Sequence, residues 1–239
     1  MIEGLQGKVV IVTGGGHGIG TAYCEGFTKS GSRVVVADID GEAAEKVAGD
    51  LAKLSEAGSM AVHVDVSDEE STKQMVAKTI ERFGRVDVLI KQRVDLRHRS
   101  HESRPHRGDH PRGMGQAHMR QQKSGKIVNV ASGTALSGPP GRIHYVASKA
   151  GVMGFSRTLA REVGDDNIQV NILCPGSTLS EVNPTEEVLK MRQSNITQRA
   201  IKRVQVPQDL VGGVLFMSSP LADFMTGQTL VVDGGQNMH

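Results

Sequence analysis

Seven short β-rich runs, separated by stretches of helical length, constrain this 239-residue chain more than any other feature. KVVIVT (8–13), RVVVAD (33–38), MAVHVD (60–65), VDVLI (86–90), KIVNVAS (126–132), IQVNILC (168–174) and QTLVVDG (228–234) are near-continuous apolar runs rich in Val and Ile. Strands of that kind are covered on both faces, and strands that alternate with amphipathic segments such as 41–54 and 68–83 build parallel βαβ units. The expected architecture is one α/β domain, doubly wound around a seven-stranded parallel sheet. The length suffices for one such core, and no repeat or linker divides it.

The crossover between the fourth and fifth strands breaks the pattern. Val94, Leu96, Met114, Ala117 and Met119 are almost all the apolar residues between Ile90 and Lys126, and no helical stripe runs through them, so no covering helix is expected. The stretch RHRSHESRPHRGDHPRG, residues 97–113, is basic instead. Residues 91–123 hold nine Lys and Arg against three Asp and Glu, so the formal net charge of +2 conceals an acidic remainder. A selected basic loop would bind a polyanion, but nothing elsewhere supports a nucleic-acid surface, and no nucleic-acid partner is expected. Cys24 and Cys174 stand in apolar runs without metal spacing. They read as buried small hydrophobes of a protein in a reducing, cytoplasmic setting, with no metal site. The chain enters a strand at once and has no apolar run of membrane-spanning length, so neither a leader nor a membrane span is expected.

TGGGHGIG, residues 13–20, lies directly between the first strand and the first helix. A glycine run alone is often only a turn. Placed between strand and helix, it lets the backbone approach a pyrophosphate whose charge meets the positive end of the helix. Gly14, His17, Gly18, Ile19 and Gly20 are the expected contacts. Asp38 ends the second strand 18 residues past Gly20, where a carboxylate accepts the ribose hydroxyls and repels a 2′-phosphate. NAD rather than NADP is the expected cofactor. Asp65, ending the third strand, carries a weaker signal of the same kind.

YVASK, residues 145–149, puts Tyr145 and Lys149 one helical turn apart on one face. Ser132 precedes the tyrosine by thirteen residues, at a strand end. A phenol exchanges protons poorly near neutrality, and a nearby ammonium stabilises its phenolate form. In a hydride transfer, Ser132 would hold the substrate oxygen, Tyr145 would exchange its proton, and Lys149 would tune the tyrosine.

TGGGHGIG, Asp38, Asp65 with Val66, Ser132, YVASK, CPG (174–176) and VVDGG (231–235) together resemble the short-chain dehydrogenase/reductase family, over residues 1–90 and about 123–239. The resemblance implies a Rossmann-type fold and a homo-oligomer, tetramer or dimer. It implies Asp65 and Val66 near the adenine, and Tyr145 and Lys149 at the cofactor as well as at the reaction. Pro175, Gly176 and a hydroxyl at Thr178 or Ser180 would lie along the nicotinamide, and residues 177–205 would form a substrate lid. The C-terminal run 206–235 is similar to bacterial secondary-alcohol dehydrogenases.

Two features of that family are absent. It has Asn-Asn-Ala-Gly after the fourth strand, where this chain has Lys91-Gln92-Arg93, and a catalytic Asn on the next helix, whereas no Asn stands between Ile90 and Asn129. The genetic code accounts for the first. AAA CAA CGC G, one spelling of Lys-Gln-Arg with the first base of Val94, becomes AAC AAC GCG, Asn-Asn-Ala, when read one base later. In the same shifted frame Met114-Gly115 must contain TGG, which is Trp, a residue this chain lacks. The next codons give Asp, Ala, Val or Gly and then Lys or Arg, and Trp-Asp-Arg or Trp-Asp-Lys is a familiar opening of the missing helix in that family. Residues 91–118 are therefore read as an anomalous basic segment, out-of-frame text followed by a deletion that removes the catalytic Asn.

Three functions remain open. The leading expectation is an NAD-dependent oxidoreductase that interconverts a small-molecule secondary alcohol and its ketone. A 3-oxoacyl thioester reductase would favour NADPH and a basic dock for an acidic carrier protein, and Asp38 argues against it. An NAD(H)-binding protein without turnover is the third, because the helix with the catalytic Asn is missing.

Overall fold

A computed structural model describes residues 2–92, 116–181 and 184–238. In chain order the chain forms β1 (Val9–Thr13), α1 (Gly18–Lys29), β2 (Arg33–Asp38), α2 (Gly41–Leu54), β3 (Ser59–His63), α3 (Glu69–Phe83), β4 (Val88–Lys91), α4 (Gln116–Gln122) and β5 (Gly125–Val130). Then follow α5 (Thr134–Ser137), α6 (Ile143–Val163), β6 (Ile168–Pro175), α7 (Glu186–Ser194), α8 (Gln208–Ser218) and β7 (Thr229–Val232). The strands are parallel throughout and ordered β3-β2-β1-β4-β5-β6-β7, the seven-stranded sheet expected from the sequence. Successive residues of each strand enter opposite cores. Val10, Val12, Val34, Val36, Ile90 and Val128 pack with Phe27 of α1, Leu51 of α2 and Leu210 and Val214 of α8. Ile11, Val35, Leu89, Ile127 and Val170 pack with Met75 of α3, Met119 of α4 and Leu159 and Val163 of α6. That two-sided burial is why the strands read as continuous apolar runs.

Local signals set the helix ends. The Asp40 side chain accepts from Ala43 N–H at the start of α2, and Asp68 accepts from Glu70 N–H at the start of α3. Helix α3 stops at Gly84, which takes the left-handed conformation at φ 77°. Strands β3, β5 and β7 end two residues before the expected runs do. Asp65, Ser132 and Gly234 thereby fall in the loops beyond the strands' carboxyl ends. Cys24 and Cys174 are both buried and unpaired, and burial pushes the Cys174 thiol up to about 11. Among the described residues, no helix is long and apolar enough to cross a membrane.

One expectation is corrected. No helix was expected between the fourth and fifth strands, yet α4 forms there from Gln116 to Gln122. Tertiary contacts replace the missing periodicity. Met119 is fully buried, and Gly125 makes room for it, since a Cβ at Gly125 would lie 2.5 Å from the Met119 sulfur. The Gln122 amide donates to Val86 O at 2.7 Å and accepts from Val86 N at 3.2 Å, while Arg120 pairs with Asp166 at 2.6 Å. Residues 93–115, with most of the segment read as out-of-frame, lie outside the described residues.

Lys91 closes β4 in register with Thr13 of β1 and Asn129 of β5, and only 4% of it is exposed. No carboxylate pairs with it among the described residues, and burial pulls its ammonium down to about 8. Its folded value lies below the unfolded one, so the unfolded chain binds the proton more tightly. The penalty is fully present below pH 8, about 3 kcal/mol, and fades as pH rises from 8 towards 10.5. Chemical denaturation between pH 7 and 10 is expected to show stability rising with pH in that window. Lys91→Met is expected to remove most of the slope and to stabilise the fold at pH 7 by up to that amount.

Candidate functional site

The carboxyl ends of β1 and β4 mark the point where the strand order reverses, the position at which open α/β sheets leave a crevice for ligands. Three groups of residues meet along this edge. The first is the glycine loop. Gly14 and Gly18 take positive φ, 70° and 54°, which side chains rarely tolerate. A Cβ on Gly20 would fall 1.9 Å from Gly14 O, so the start of α1 crosses the end of β1 at a distance open only to glycine. Gly14 N–H and Gly15 N–H both donate to Ala37 O, at 2.8 and 3.2 Å. His17 is the N-cap of the twelve-residue α1 but makes no side-chain cap, and Ile19 follows partly buried. The glycines therefore bring bare backbone up to an uncapped helix N-terminus, which fits a pyrophosphate.

Asp38 is drawn into this loop. It is largely buried, and its carboxylate accepts from Gly16 N–H at 2.8 Å and from Asp40 N–H at 3.1 Å. His17 lies 2.9 Å from the Asp40 carboxylate. The Ala43 N–H, then His17, hold the Asp40 carboxyl below its usual range. Asp40 was missed by sequence reasoning; its only signal was a second Asp two residues past the strand-end one. Asp65 folds into a turn, accepting from Ser67 N–H at 2.8 Å, and Val66 packs partly buried against the core of α3.

The second group is Ser132, Tyr145 and Lys149. Ser132 sits just past β5, mostly buried, and its hydroxyl oxygen accepts from the Thr134 hydroxyl at 2.9 Å. Tyr145 stands in the first turn of α6, about a third exposed, with Lys149 one turn on. The ammonium of Lys149 donates to Val130 O at 3.0 Å and Gln92 O at 3.4 Å, anchored to the ends of β5 and β4. The Gln92 side chain in turn donates to Gly14 O at 2.7 Å. Gln92, which sequence reasoning did not place in the site, thus joins the lysine to the glycine loop; its position immediately after β4 was the available signal. Asn129 is fully buried and donates to the Ser156 hydroxyl at 2.8 Å, so it is committed to the contact between β5 and α6.

The third group follows β6. Pro175 ends the strand, and a Cβ on Gly176 would lie 2.7 Å from both Asp233 Cβ and Gln205 Oε1. Thr178 is buried, donates to Gly176 O at 3.1 Å and pairs with Gln205. Ser180 reaches the glycine loop, its Cβ 3.1 Å from where a Cβ on Gly18 would stand. Residues 14–20, 38 and 180 thus surround one end of the crevice.

Comparison with known proteins agrees with this geometry. The family pattern described as short chain dehydrogenase matches residues 8–92, and one described as enoyl-(acyl carrier protein) reductase matches residues 112–237. The chain is 31% identical to a 3-oxoacyl-[acyl-carrier-protein] reductase of Thermotoga maritima, over 97% of this chain and 98% of that protein. It is 33% identical to an L-rhamnose 1-dehydrogenase (NAD(P)(+)) of Sphingomonas sp., over 97% and 96%. A solved 7α-hydroxysteroid dehydrogenase, complexed with NADH and 7-oxo glycochenodeoxycholic acid, superposes with a TM-score of 0.81 at 27% identity, covering 98% of this chain and 97% of that one. On these family matches and relatives, the chain belongs to the short-chain dehydrogenase/reductase family of oxidoreductases.

Proposed function

We propose that this protein is an NAD(H)-dependent oxidoreductase that interconverts a small secondary alcohol and its ketone. The observation that carries the cofactor choice is the Asp38 carboxylate, held at the glycine loop by Gly16 N–H with Asp40 beside it. Two carboxylates there disfavour a 2′-phosphate, and the His17 ring is already hydrogen-bonded to Asp40. Gly14, Gly18, Ile19 and Gly20 would hold the pyrophosphate. Pro175, Gly176, Thr178 and Ser180 would flank the nicotinamide. A bound nicotinamide supplies or accepts the hydride. Ser132 would orient the substrate oxygen, Tyr145 would give that oxygen its proton in the reducing direction and take it back in the other, and Lys149, one turn along α6 from Tyr145, would support the tyrosine and hold the ribose.

A 3-oxoacyl thioester reductase is the second reading, supported by the Thermotoga relative. Comparing a secondary ketone with a 3-oxoacyl thioester, each with NADH and NADPH at one pH, separates the two, and binding of NADH without turnover of either identifies a non-catalytic protein. The exposed Leu221 and Phe224, in the turn that follows α8, support self-association into a dimer or tetramer, since apolar groups of that size gain by burial in a partner. The free, buried cysteines support a reducing, cytoplasmic setting.

The out-of-frame reading of residues 91–118 is kept as part of this proposal. It is supported by the buried Lys91, which no carboxylate pairs among the described residues, and by two family matches that both omit residues 93–111. Peptide sequencing by mass spectrometry across residues 85–126 of the natural protein is expected to read Asn-Asn-Ala after Ile90. An active, stable oligomer carrying the residues as written would overturn it.

Asp38→Ala is expected to move the ratio of kcat/KM with NADH to that with NADPH about tenfold or more towards NADPH, read from paired initial rates. Better rates with NADPH in the unaltered enzyme would contradict the cofactor assignment. Tyr145→Phe is expected to lower kcat by about 10²–10⁴ while NADH affinity, followed by fluorescence titration, changes less than about twofold. Retention of more than about a tenth of the rate would remove Tyr145 from the mechanism.

A further inference from the structure

The chain that leaves β6 divides into two parts with different attachments. Its return arm, residues 199–205, is stitched to the body through the backbone: Leu179 N–H donates to Gln205 O at 2.8 Å, and Ile201 N–H to Gly234 O at 2.9 Å. The Gln205 amide adds a bond to Val232 O at 2.6 Å. The outer part, α7 and the 3₁₀ turn Asn195–Gln198, is held differently. Two of its side chains converge on one atom, the hydroxyl oxygen of Ser177: Arg192 donates to it at 2.9 Å and Asn195 at 3.0 Å. The carbonyl of the same residue accepts from Arg199 at 2.7 Å, and Arg199 is 2% exposed. Ser177 therefore receives one donor from the helix, one from the turn and one from the return arm.

We propose that Ser177 is the positioning residue that seats the outer lid, α7 and the turn after it, on the substrate side of the crevice. This rests on the reading of residues 177–205 as a substrate lid. Ser177 directly follows Pro175 and Gly176, the segment assigned to the nicotinamide, so the same short stretch fixes the floor of the site and docks its cover. A hydroxyl suits that task because its oxygen accepts two hydrogen bonds while its proton remains free to donate. The Arg192–Ser177 bond is charge-assisted, and the Arg192 side chain is 18% exposed, so water competes with it poorly. Arg192 also pairs with Glu181 at 2.8 Å, but Glu181 is more open to solvent, and an exposed pair of that kind contributes less. The backbone bonds of the return arm do not depend on the Ser177 hydroxyl. Its removal loosens the outer lid, which keeps the bonds from Lys202 to Thr197 O and from Gln236 to Gln198, without unfolding the base.

Amide hydrogen exchange, read by mass spectrometry on the full chain, tests this without requiring turnover. In Ser177→Ala, residues 186–198 are expected to exchange about tenfold faster, while β1 and β6 keep their rates. Ser177→Thr, which keeps the hydroxyl, is expected to stay within about threefold of the unaltered protein, and Glu181→Gln to have the smaller effect. With a ketone substrate, Ser177→Ala is expected to raise KM about tenfold with kcat changed less than about threefold and NADH affinity unchanged. Unchanged exchange over residues 186–198 in Ser177→Ala, or acceleration spread equally over the strands, overturns the proposal. If Ser177→Ala does not fold, Ser177 is needed by the core rather than the lid, and the proposal fails unless Arg192→Met, acting from the opposite side, reproduces the local acceleration. Local acceleration with no change in KM keeps the seat but removes the substrate-lid reading.

Discussion

The carbonyl of Gly14 is the contact on which the site depends. Gly20 passes directly over it, close enough that a single added carbon would collide, and the Gln92 amide donates to it from the end of β4. Three elements, β1, α1 and β4, are thus registered against one oxygen. The helix N-terminus can face the crevice only because α1 starts where it does, and it starts there because Gly14 and Gly18 take left-handed conformations that turn the chain within five residues. The end of β2 is tied to the same loop through Ala37 O and the Asp38 carboxylate.

What the sequence made legible were features with a backbone cause. Two-sided strand burial produces unbroken Val and Ile runs, glycine is required where chains cross closely, and the amphipathic segments expected over 41–54 and 68–83 are the helices α2 and α3. The crossover helix α4 escaped because nothing local specifies it: its seven residues are held by Met119 against Gly125, by Gln122 against Val86 and by Arg120 against Asp166, all contacts distant in sequence or invisible to a periodicity. Asp40 and Gln92 escaped for a related reason. Each acts through a hydrogen bond to a residue more than twenty positions away, His17 in one case and Gly14 in the other.

Ser132, Tyr145 and Lys149 were named together as candidates from spacing alone, and their support in the fold was not legible there. Ser132 was placed by its distance from Tyr145, whereas its bond to the Thr134 hydroxyl emerges only from the turn into α5. Residues 177–205 were read from the sequence as one stretch, and the division of that stretch into a backbone-stitched base and an outer part held by side chains follows from the folded geometry alone.

Lys149 donates, among its bonds, to two main-chain carbonyls, those of Val130 and Gln92. Main-chain oxygens belong to whatever residue occupies a position, so the anchor is indifferent to side-chain identity at both strand ends. A chain that has exchanged the amino acids following its fourth strand can still present the same two acceptors to the lysine, provided the strands keep their register. Those two bonds are inherited from the register of the strands rather than from the side chains at their ends. Residues that contact one another through side chains, as around Ser177, have no such insulation, and the adaptable part of this architecture lies there.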